Sequence, residues 1–370
     1  MKMQDLLNEL KKENNFRTLK RFKNDGKYVL YDGKKLLNFA SNDYLGLASS
    51  GELEREFLNT YKNQSLSSSA SRSLGGGGDE YFLFEEYLSS LYKKEALLFS
   101  SGFLLNYSCL SALATLKNTL FLADKKVHAS IIDGIKHSNF KRFKHNDIND
   151  LEKLLQTNLN YEKIIIICES LYSMDADFAP LDKLLELKKK YKNIMLYVDE
   201  AHSIGSLGIN GLGLGYLKDI DFLVLTFGKS IASMGAAMIC SKEAKDFFIN
   251  KARGLIYSTA LPPINVAYSH FVFSKLANFD KKREHLINLS SYLNDLLKDK
   301  IKGVSYIKMI VLGDNEKANL YSAKLMQKGF FAPSIKTPTV AAKDTGIRLS
   351  INANMDFSDL DNFAKAFYEI

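Results

Sequence analysis

Cysteine is scarce in this chain, and the residue patterns that mark metal sites and membrane spans are missing. Only three cysteines occur among 370 residues. Each lies in an apolar segment, so we expect reduced core residues in a reducing compartment. No CxxC or CxxH spacing exists, which argues against a bound structural metal. Runs of about 18 apolar residues are absent too, so no membrane span is expected. The charged start lacks the apolar centre of a signal peptide, and we expect a cytoplasmic protein.

The charge balance is basic but not gathered into one block. The formal net charge is +8, with lysines distributed along the chain. Such a pattern is typical of a solvated surface, and it would also attract an acidic partner such as a phosphorylated cofactor or an acidic carrier protein. Nucleic-acid binding requires a clustered basic face, so we do not expect it. The 46% hydrophobic and 25% charged residues are typical of a globular chain, and the length suits two packed lobes.

Apolar runs alternate with amphipathic stretches in the middle of the chain. Six runs are expected to be buried strands: 96–101, 119–124, 163–170, 194–200, 222–228 and 236–241. Between them, residues 147–157 and 181–191 carry apolar side chains at helical spacing. This alternation predicts an α/β fold with a mostly parallel sheet flanked by helices. Ligands bind such sheets at the carboxyl ends of the strands.

A smaller α+β domain is expected in the last third of the chain. Residues 269–301 have a long helical pattern, and shorter strands are expected at 304–312 and 346–352. We predict an N-terminal segment that packs with the small domain, a large domain and a C-terminal α+β domain, at residues 1–45, 46–265 and 266–370. The stretch SLSSSASRSLGGGG (65–78) predicts an ordered loop whose glycines leave room for mobility.

The stretch DEAHSIGSLGINGLG (199–213) places two carboxylates and a histidine at the end of a predicted strand. The letters DEAH also occur in helicase-like ATPases, but those need GxxxxGK[ST] at an earlier strand end. The only GKS follows the DEAH letters, with Leu223 at the position of the first glycine. A metal site would need further ligands, and the other histidines form no such pattern. If no other functional residue accompanied them, Asp199, Glu200 and His202 would be expected only to cap a turn.

A partner follows the next predicted strand. TFGKSIASMGAAM (226–238) places Lys229 in a turn of short side chains behind a buried run. We expect the Lys229 amine to lie in a cleft there. Such surroundings favour the uncharged amine, which can bond covalently to an aldehyde. A lysine and an aspartate on neighbouring strands suit pyridoxal phosphate. The lysine binds its aldehyde, and Asp199 keeps its pyridine nitrogen protonated so that the ring can take up electrons.

Eight motifs follow one another in the order of a known family. They are NFASNDYLGLA (38–48), FSSGFLLN (99–106), KVHASIIDG (126–134), RFKHND (142–147), ESLYSMDADFAPL (169–181), DEAHSIGSLGINGLG (199–213), TFGKSIASMGAAMICS (226–241) and LIYSTALPP (255–263). By this ordered set the chain resembles the α-oxoamine synthases, fold-type-I enzymes that use pyridoxal phosphate, over nearly its whole length. The resemblance implies a homodimer whose large domain binds the cofactor.

The resemblance also implies roles at the cofactor ring. Lys229 would bond the aldehyde and act as the base, and Asp199 would bind the pyridine nitrogen. His202, assisted by Ser173, would hydrogen-bond the phenolic oxygen. His128 would stack on the ring. Except for Ser173, these residues are the expected catalytic set.

The phosphate and substrate residues follow from the same resemblance. The backbone amides of Gly102 and Phe103, at the start of a helix, would bind the phosphate together with Thr226. Thr259 would reach the phosphate from the neighbouring subunit. The expected substrate-binding residues are Arg348 for the amino-acid carboxylate, and Thr339 and Arg17 for the acyl group, with Arg21 close to Arg17 in sequence.

The reaction implied by the resemblance is a decarboxylative condensation of an amino acid with an acyl thioester. We expect L-alanine and a pimeloyl thioester of coenzyme A or acyl-carrier protein, giving 8-amino-7-oxononanoate for biotin biosynthesis. The alternative within the family is glycine with acetyl-CoA, as in 2-amino-3-ketobutyrate CoA ligase. An aminotransferase and a non-catalytic protein of the same fold also stay open, although the intact Lys229 argues against the latter.

Three departures from the family pattern concern glycine. The family has Gly-x-Gly-Gly-Ser-Arg where residues 67–72 are SSSASR, and it has glycine at the positions of Ala176 and Ala232. These differences affect the expected acyl pocket and loop flexibility more than the cofactor chemistry.

Overall fold

Strands and helices alternate along the residues that the computed structural model describes, 3–62 and 64–370. The strands are β1 (Lys23–Asp25), β2 (Tyr28–Tyr31), β3 (Lys34–Asn38), β4 (Glu95–Phe99), β5 (Thr119–Asp124), β6 (Phe140–Phe143), β7 (Lys163–Glu169), β8 (Ile194–Asp199), β9 (Phe222–Thr226), β10 (Ala236–Cys240), β11 (Ile307–Val311), β12 (Phe330–Phe331), β13 (Ser334–Ile335) and β14 (Gly346–Ser350). The helices are α1 (Met3–Lys12), α2 (Leu47–Ser50), α3 (Glu52–Thr60), α4 (Gly78–Tyr92), α5 (Gly102–Leu113), α6 (Ala129–Ile135), α7 (Ile148–Gln156), α8 (Leu181–Lys190), α9 (Lys242–Lys251), α10 (Arg253–Ile256), α11 (Pro263–Ser274), α12 (Asp280–Leu297), α13 (Asn315–Gln327) and α14 (Phe357–Tyr368). None of the helices in this described part is both long and apolar enough to cross a membrane.

These elements form two units. The terminal unit comprises residues 3–50, 173–177 and 281–370, and the central unit comprises residues 51–62, 64–172 and 178–280. The division into domains at residues 45 and 265 stays a prediction. Of the residues it covers, 1, 2 and 63 lie outside the described part of the chain.

A seven-stranded sheet organises the central unit. Its order is β4-β10-β9-β8-β7-β5-β6, and β10 is antiparallel to both of its neighbours while the other pairs are parallel. Burial on both faces explains the unbroken apolar run 164–167 in β7, where each isoleucine is at most 1% exposed. Strands β7, β8 and β9 end at one edge of the sheet with Glu169, Asp199 and Thr226. The predicted α/β fold is confirmed.

Two elements of the central region differ from the prediction. The helical pattern beginning at residue 269 is interrupted after α11, because the N–H of Lys275 donates to the carbonyl of Val272 and a short 3-10 turn, Leu276–Phe279, follows. The prediction of one long helix was therefore wrong. Strand β6 was not predicted because it is an outer strand of the sheet. Two of its four residues, Lys141 and Arg142, are exposed, so the sequence there has no continuous apolar run.

The terminal unit contains two small sheets. One has the order β1-β2-β3-β12 and the other β11-β14-β13, with β14 antiparallel to both neighbours. The strand expected over 304–312 is shorter, since it begins only at Ile307 and Val304 is 62% exposed. All five residues of β14 are buried, and Arg348 is the central one.

Three positions at which the resembled family has glycine keep a left-handed backbone here. Ser69, Ala176 and Ala232 have φ angles of 51°, 57° and 54°. In this region the Cβ atom crowds the following carbonyl oxygen, at a cost of roughly 1–2 kcal/mol per residue. The chain therefore keeps the turn geometry without the residue that adopts it without strain.

Replacing Ala232 with glycine should stabilise the protein. We expect Ala232→Gly to raise the free energy of unfolding by about 0.5–1 kcal/mol, because relief of left-handed strain exceeds the entropy that glycine adds to the unfolded chain. Ala114→Gly is the matched control, since Ala114 is equally half-buried but has a φ of −63°. It should lower stability by a similar amount. Denaturant unfolding measures both, and an unstabilised Ala232→Gly protein would show that the turn does not strain alanine.

Candidate active site

The turn after β9 brings Lys229 against His202. The N–H of Ala232 donates to the carbonyl of Lys229, and the N–H of Ser233 donates to that of Phe227, each at 2.9 Å. Lys229 is half-buried, and its Nζ lies 2.9 Å from Nε2 of the buried His202. The two nitrogen bases predicted from the sequence therefore meet directly.

Asp199, the last residue of β8, is 4% exposed. Its Oδ1 accepts a hydrogen bond from the N–H of Ala201 at 2.9 Å, and its Oδ2 accepts one from Nδ2 of Asn106 at 2.7 Å. Burial of a carboxylate is tolerated where donors of this kind meet both oxygens. The aspartate is thus held in a fixed orientation at the sheet edge.

Two buried residues to which the sequence assigned no role, Asn106 and Ser130, link Asp199 to His128, and a third, Tyr197, holds Asn106. Nδ2 of Asn106 also donates to Oγ of Ser130 at 3.1 Å, and its Oδ1 accepts from the hydroxyl of Tyr197 at 2.7 Å. Nδ1 of His128 lies 2.8 Å from Oγ of Ser130 and accepts from the Ser130 N–H at 3.3 Å. Asn106 lies 93 positions from Asp199 in the chain, and no local sequence pattern signals such a contact.

The surroundings of His128 favour the neutral imidazole. Burial lowers the pKa of His128, the charge of Asp199 opposes this effect, and the charge of Lys229 adds to it. The ring meets that of Phe103 edge-on, with centroids 6.3 Å apart and an interplanar angle of 84°. The imidazole also caps α6 through its Nδ1 acceptor. Its position is therefore determined by contacts on several sides.

A second carboxyl group neighbours Asp199. Glu169 ends β7, is paired with Asp199 across the two strands, and is 4% exposed. Burial and then the charge of Asp199 raise the pKa of Glu169 to about 8, while Lys229 and the backbone N–H of His128 act in the opposite direction. The surroundings of Glu169 therefore favour its protonated form. Sequence reasoning missed this residue, because the shift of its pKa depends on Asp199, a neighbour in another strand.

The N-terminus of α5 and Thr226 together suit an anion. The first four N–H groups of a helix have no partner inside it. Oγ of Ser101 accepts a hydrogen bond from the backbone N–H of Leu104 at 3.2 Å. The backbone N–H groups of Gly102 and Phe103 are then left for a ligand. The buried Oγ1 of Thr226 has no hydrogen-bond partner within residues 3–62 and 64–370. A Cβ atom on Gly102 would lie 2.5 Å from Cγ2 of Thr226, so glycine permits the close approach. A phosphate group fits this set of donors.

The second acid of the DEAH letters organises the loop that follows it. The carboxyl of the fully buried Glu200 accepts from the N–H groups of Leu214 and Gly215, each at 2.9 Å. Burial raises the pKa of Glu200 to about 7, against these hydrogen bonds. Gly213 has a φ of 87°, and a Cβ atom there would overlap Oε2 of Glu200. A side chain at this position would therefore have to displace the carboxyl of Glu200, and it would also adopt a strained backbone.

The same loop supports the lysine turn. Oγ of Ser206 lies 2.6 Å from Oγ of Ser230, the residue after Lys229. A Cβ atom on Gly205 would lie 2.7 Å from that of Ser230. The glycine-rich stretch thus packs against the turn that carries the lysine.

In the terminal unit, Arg348 is 6% exposed and surrounded by neutral acceptors. Its Nε donates to the carbonyl of Ser173 at 2.8 Å and its Nη1 to Oγ of Ser350 at 2.8 Å. Its Nη2 donates to Oδ1 of Asn42 at 3.1 Å and to the hydroxyl of Tyr44 at 3.3 Å. No carboxylate of the described residues lies within salt-bridge distance of the guanidinium. A buried charge without a counter-charge is costly, and an anionic ligand would offset that cost.

The two residues assigned to the acyl substrate contact each other in the terminal unit. Nη2 of Arg17 donates to Oγ1 of Thr339 at 3.3 Å, and both side chains are exposed. Arg21 is exposed as well. Of the two arginines, the structure thus places Arg17 at the predicted partner, while the role in binding stays a prediction.

Thr259 lies exposed in the central unit. The residue that follows it, Ala260, donates its N–H to the carbonyl of Ala70 at 3.0 Å, and Ile264 donates to that of Ser65 at 3.2 Å. The serine- and glycine-rich stretch is therefore tied to the segment of Thr259 by two backbone hydrogen bonds. The role of Thr259 and the mobility of the loop stay predictions.

Known proteins resemble this chain over nearly its full length. The family "Aminotransferase class I and II" matches residues 34–367. A Pasteurella multocida protein named "Putative 8-amino-7-oxononanoate synthase" is 42% identical over 381 residues, covering 99% of this chain and 98% of that protein. A Haemophilus influenzae protein of the same name is 43% identical, covering 97% of both.

Solved structures agree with the sequence relatives. A serine palmitoyltransferase variant from S. paucimobilis with bound PLP has a TM-score of 0.88 at 26% identity, over 99% of this chain and 96% of that one. The 8-amino-7-oxononanoate synthase from Francisella tularensis has a TM-score of 0.75 at 28% identity, over 90% and 97%. The chain belongs to the aminotransferase class I and II family and, within it, to the α-oxoamine synthases, fold-type-I acyltransferases that depend on pyridoxal phosphate.

Proposed function

We propose that the protein condenses L-alanine with a pimeloyl thioester, releasing carbon dioxide and the thiol and forming 8-amino-7-oxononanoate for biotin biosynthesis. The acyl carrier is coenzyme A or an acyl-carrier protein. Relatives at 42% and 43% identity bear the name of this activity. The structural observation that carries the proposal is Arg348, a buried guanidinium with neutral partners that suits the carboxylate of an amino acid.

Side chains of the central unit fit pyridoxal phosphate. Lys229 would bond its aldehyde, Asp199 its pyridine nitrogen and His202 its phenolic oxygen, with His128 stacked on the ring. Ser173, which belongs to the terminal unit, is the residue that the family resemblance assigns to assist His202. The bound cofactor supplies an electron sink for the charge that develops at the α-carbon of the amino acid.

The phosphate would be held by the N–H groups of Gly102 and Phe103 and by Oγ1 of Thr226. This assignment gives an acceptor to the Thr226 hydroxyl, which has no hydrogen-bond partner among the described residues. Thr259 of a second copy would contribute a further hydroxyl. Exposed apolar side chains on α4 and α5 support a homodimer that would cover them: Phe82, Leu83, Phe103 and Tyr107.

Lys229 is the proposed general base. Its amine would remove the α-proton of alanine and return a proton to the same carbon after decarboxylation. The nearby Nε2 of His202 offers the amine a hydrogen-bond partner at 2.9 Å. Arg348 would hold the carboxylate during this transfer, so that proton removal occurs at one position.

The acyl group would be received by Arg17 and Thr339. Both are exposed, which suits a substrate whose carrier stays outside the protein. The family alternative, glycine with acetyl-CoA, would use the same cofactor residues.

Product analysis with paired substrates separates these activities. With L-alanine and pimeloyl-CoA we expect 8-amino-7-oxononanoate and carbon dioxide. Glycine and acetyl-CoA should react far more slowly. Lys229→Ala should give no product and should lack the visible absorbance of lysine-bound cofactor, because the change removes the amine that would form the bond. Preferred use of glycine would assign the protein to the alternative, and amino transfer without carbon dioxide would indicate an aminotransferase.

Arg348→Lys should weaken alanine binding selectively. Loss of the planar, multidentate guanidinium removes about one to two charge-assisted hydrogen bonds, so the KM for alanine should rise about 10- to 100-fold. The matched control is Arg283→Lys, a second buried arginine of the terminal unit. Steady-state kinetics with alanine as the varied substrate measures both. An equal rise of the KM for alanine in the two variants would show that Arg348 does not bind the substrate.

Thr226→Val tests the phosphate site. In the cofactor-free protein the change should hardly affect stability, because the hydroxyl that it removes has no partner in the described chain. Affinity for pyridoxal phosphate should fall about 10-fold, while affinity for pyridoxal, which lacks the phosphate, should not change. Equilibrium titration with both compounds measures this difference. An equal loss for both would place the phosphate elsewhere.

A further inference from the structure

Asn106 donates to two acceptors at once. Its Nδ2 lies 2.7 Å from Oδ2 of Asp199 and 3.1 Å from Oγ of Ser130, and its Oδ1 accepts from the hydroxyl of Tyr197 at 2.7 Å. With the amide reversed, its oxygen would face an oxygen of Asp199 at the same short distance, and two acceptors would be in contact. All four residues are buried. The carboxylate of Asp199 therefore determines the orientation of the amide.

This orientation decides the direction of the next hydrogen bond. A serine hydroxyl has one proton. Because an N–H of Asn106 already points at Oγ of Ser130, the serine proton goes to its other neighbour, Nδ1 of His128 at 2.8 Å. The backbone N–H of Ser130 donates to the same nitrogen at 3.3 Å. With two donors facing it, Nδ1 acts as an acceptor and has no place for a proton of its own.

We propose that Asn106 and Ser130 are positioning residues that hold His128 as a neutral imidazole with its single proton on Nε2. Asp199 determines the donor–acceptor direction of this series of hydrogen bonds, and the last bond of the series is donated to Nδ1 of His128. This protonation state depends only on the protein. Its value for catalysis rests on the proposed function, in which His128 would stack on the cofactor without adding a positive charge beside Lys229.

Charged groups around His128 do not by themselves select this state. Burial and the charge of Lys229 favour the neutral ring, whereas the charge of Asp199 favours the protonated ring. Glu169 accepts the backbone N–H of His128, and burial and the charge of Asp199 raise the pKa of Glu169 to about 8. None of these groups distinguishes Nδ1 from Nε2, whereas the hydrogen-bond chain does.

Ser130→Ala removes the hydrogen bond between the serine hydroxyl and Nδ1 of His128. The change removes one hydrogen bond that stabilises the neutral ring, so the proton affinity of His128 should rise about three- to tenfold, and a fraction of the ring should carry its proton on Nδ1. Nitrogen NMR of histidine-labelled holoenzyme across pH reports both quantities, with the signal identified by its loss in His128→Gln. Ser290→Ala is the control, because it removes another buried hydroxyl donor, 2.7 Å from the carbonyl of Ser305 in the terminal unit.

Asn106→Leu removes the amide that links Asp199 to Ser130 in this series of hydrogen bonds. It should mix the two His128 tautomers and also shift the pH dependence of the visible absorbance of bound cofactor, because Asp199 loses a donor. The matched control is Asn158→Leu, which removes a buried asparagine with three hydrogen bonds of its own. The control should lower stability and leave His128 unchanged.

The wild-type ring should show one tautomer, protonated on Nε2. A wild-type proton on Nδ1 would overturn the proposal, and so would an unchanged His128 titration and tautomer in Ser130→Ala. If Asn106→Leu does not fold, these two measurements still decide. Failure of the proposed function would appear separately, as wild-type protein that makes no product, because the ring titration needs no substrate.

Discussion

The carboxylate of Asp199 must be stabilised in a buried position at the end of β8, and much of the candidate site is arranged around the donors that it requires. Asn106 reaches it from α5, and the same amide reaches Ser130 at the start of α6. Strand β8 and helices α5 and α6 are thereby joined through the amide of Asn106. A buried network of this kind stabilises a single geometry only when every member is paired.

Three carboxyl groups near one sheet edge are held in three different environments. Asp199 has a donor on each oxygen, burial and the charge of Asp199 raise the pKa of Glu169, and Glu200 accepts from two backbone N–H groups of a loop. The residue type is nearly the same in each case, and the surroundings decide its task. Because the loop organised by Glu200 also contacts Ser230, that loop supports the turn that carries Lys229.

Local patterns predicted the strands of the central sheet because burial on both faces leaves apolar runs such as 164–167, and Lys229 and Asp199 could be found because each follows such a run. Strand β6 could not be predicted, since an edge strand with exposed Lys141 has no such run. Asn106 could not be assigned either. Its role comes from contacts 24 and 93 positions away, which only the assembled fold brings within hydrogen-bond distance.

Glycine has two different meanings in the turns of this protein. At Gly213 a side chain would overlap the buried carboxyl of Glu200, whereas Ala176 and Ala232 adopt the left-handed conformation with an ordinary side chain. A search pattern that demands glycine at all of these turns would reject this chain although its backbone follows the expected path. Patterns based on the sign of φ and on the space around Cβ would separate positions that tolerate replacement from those that do not.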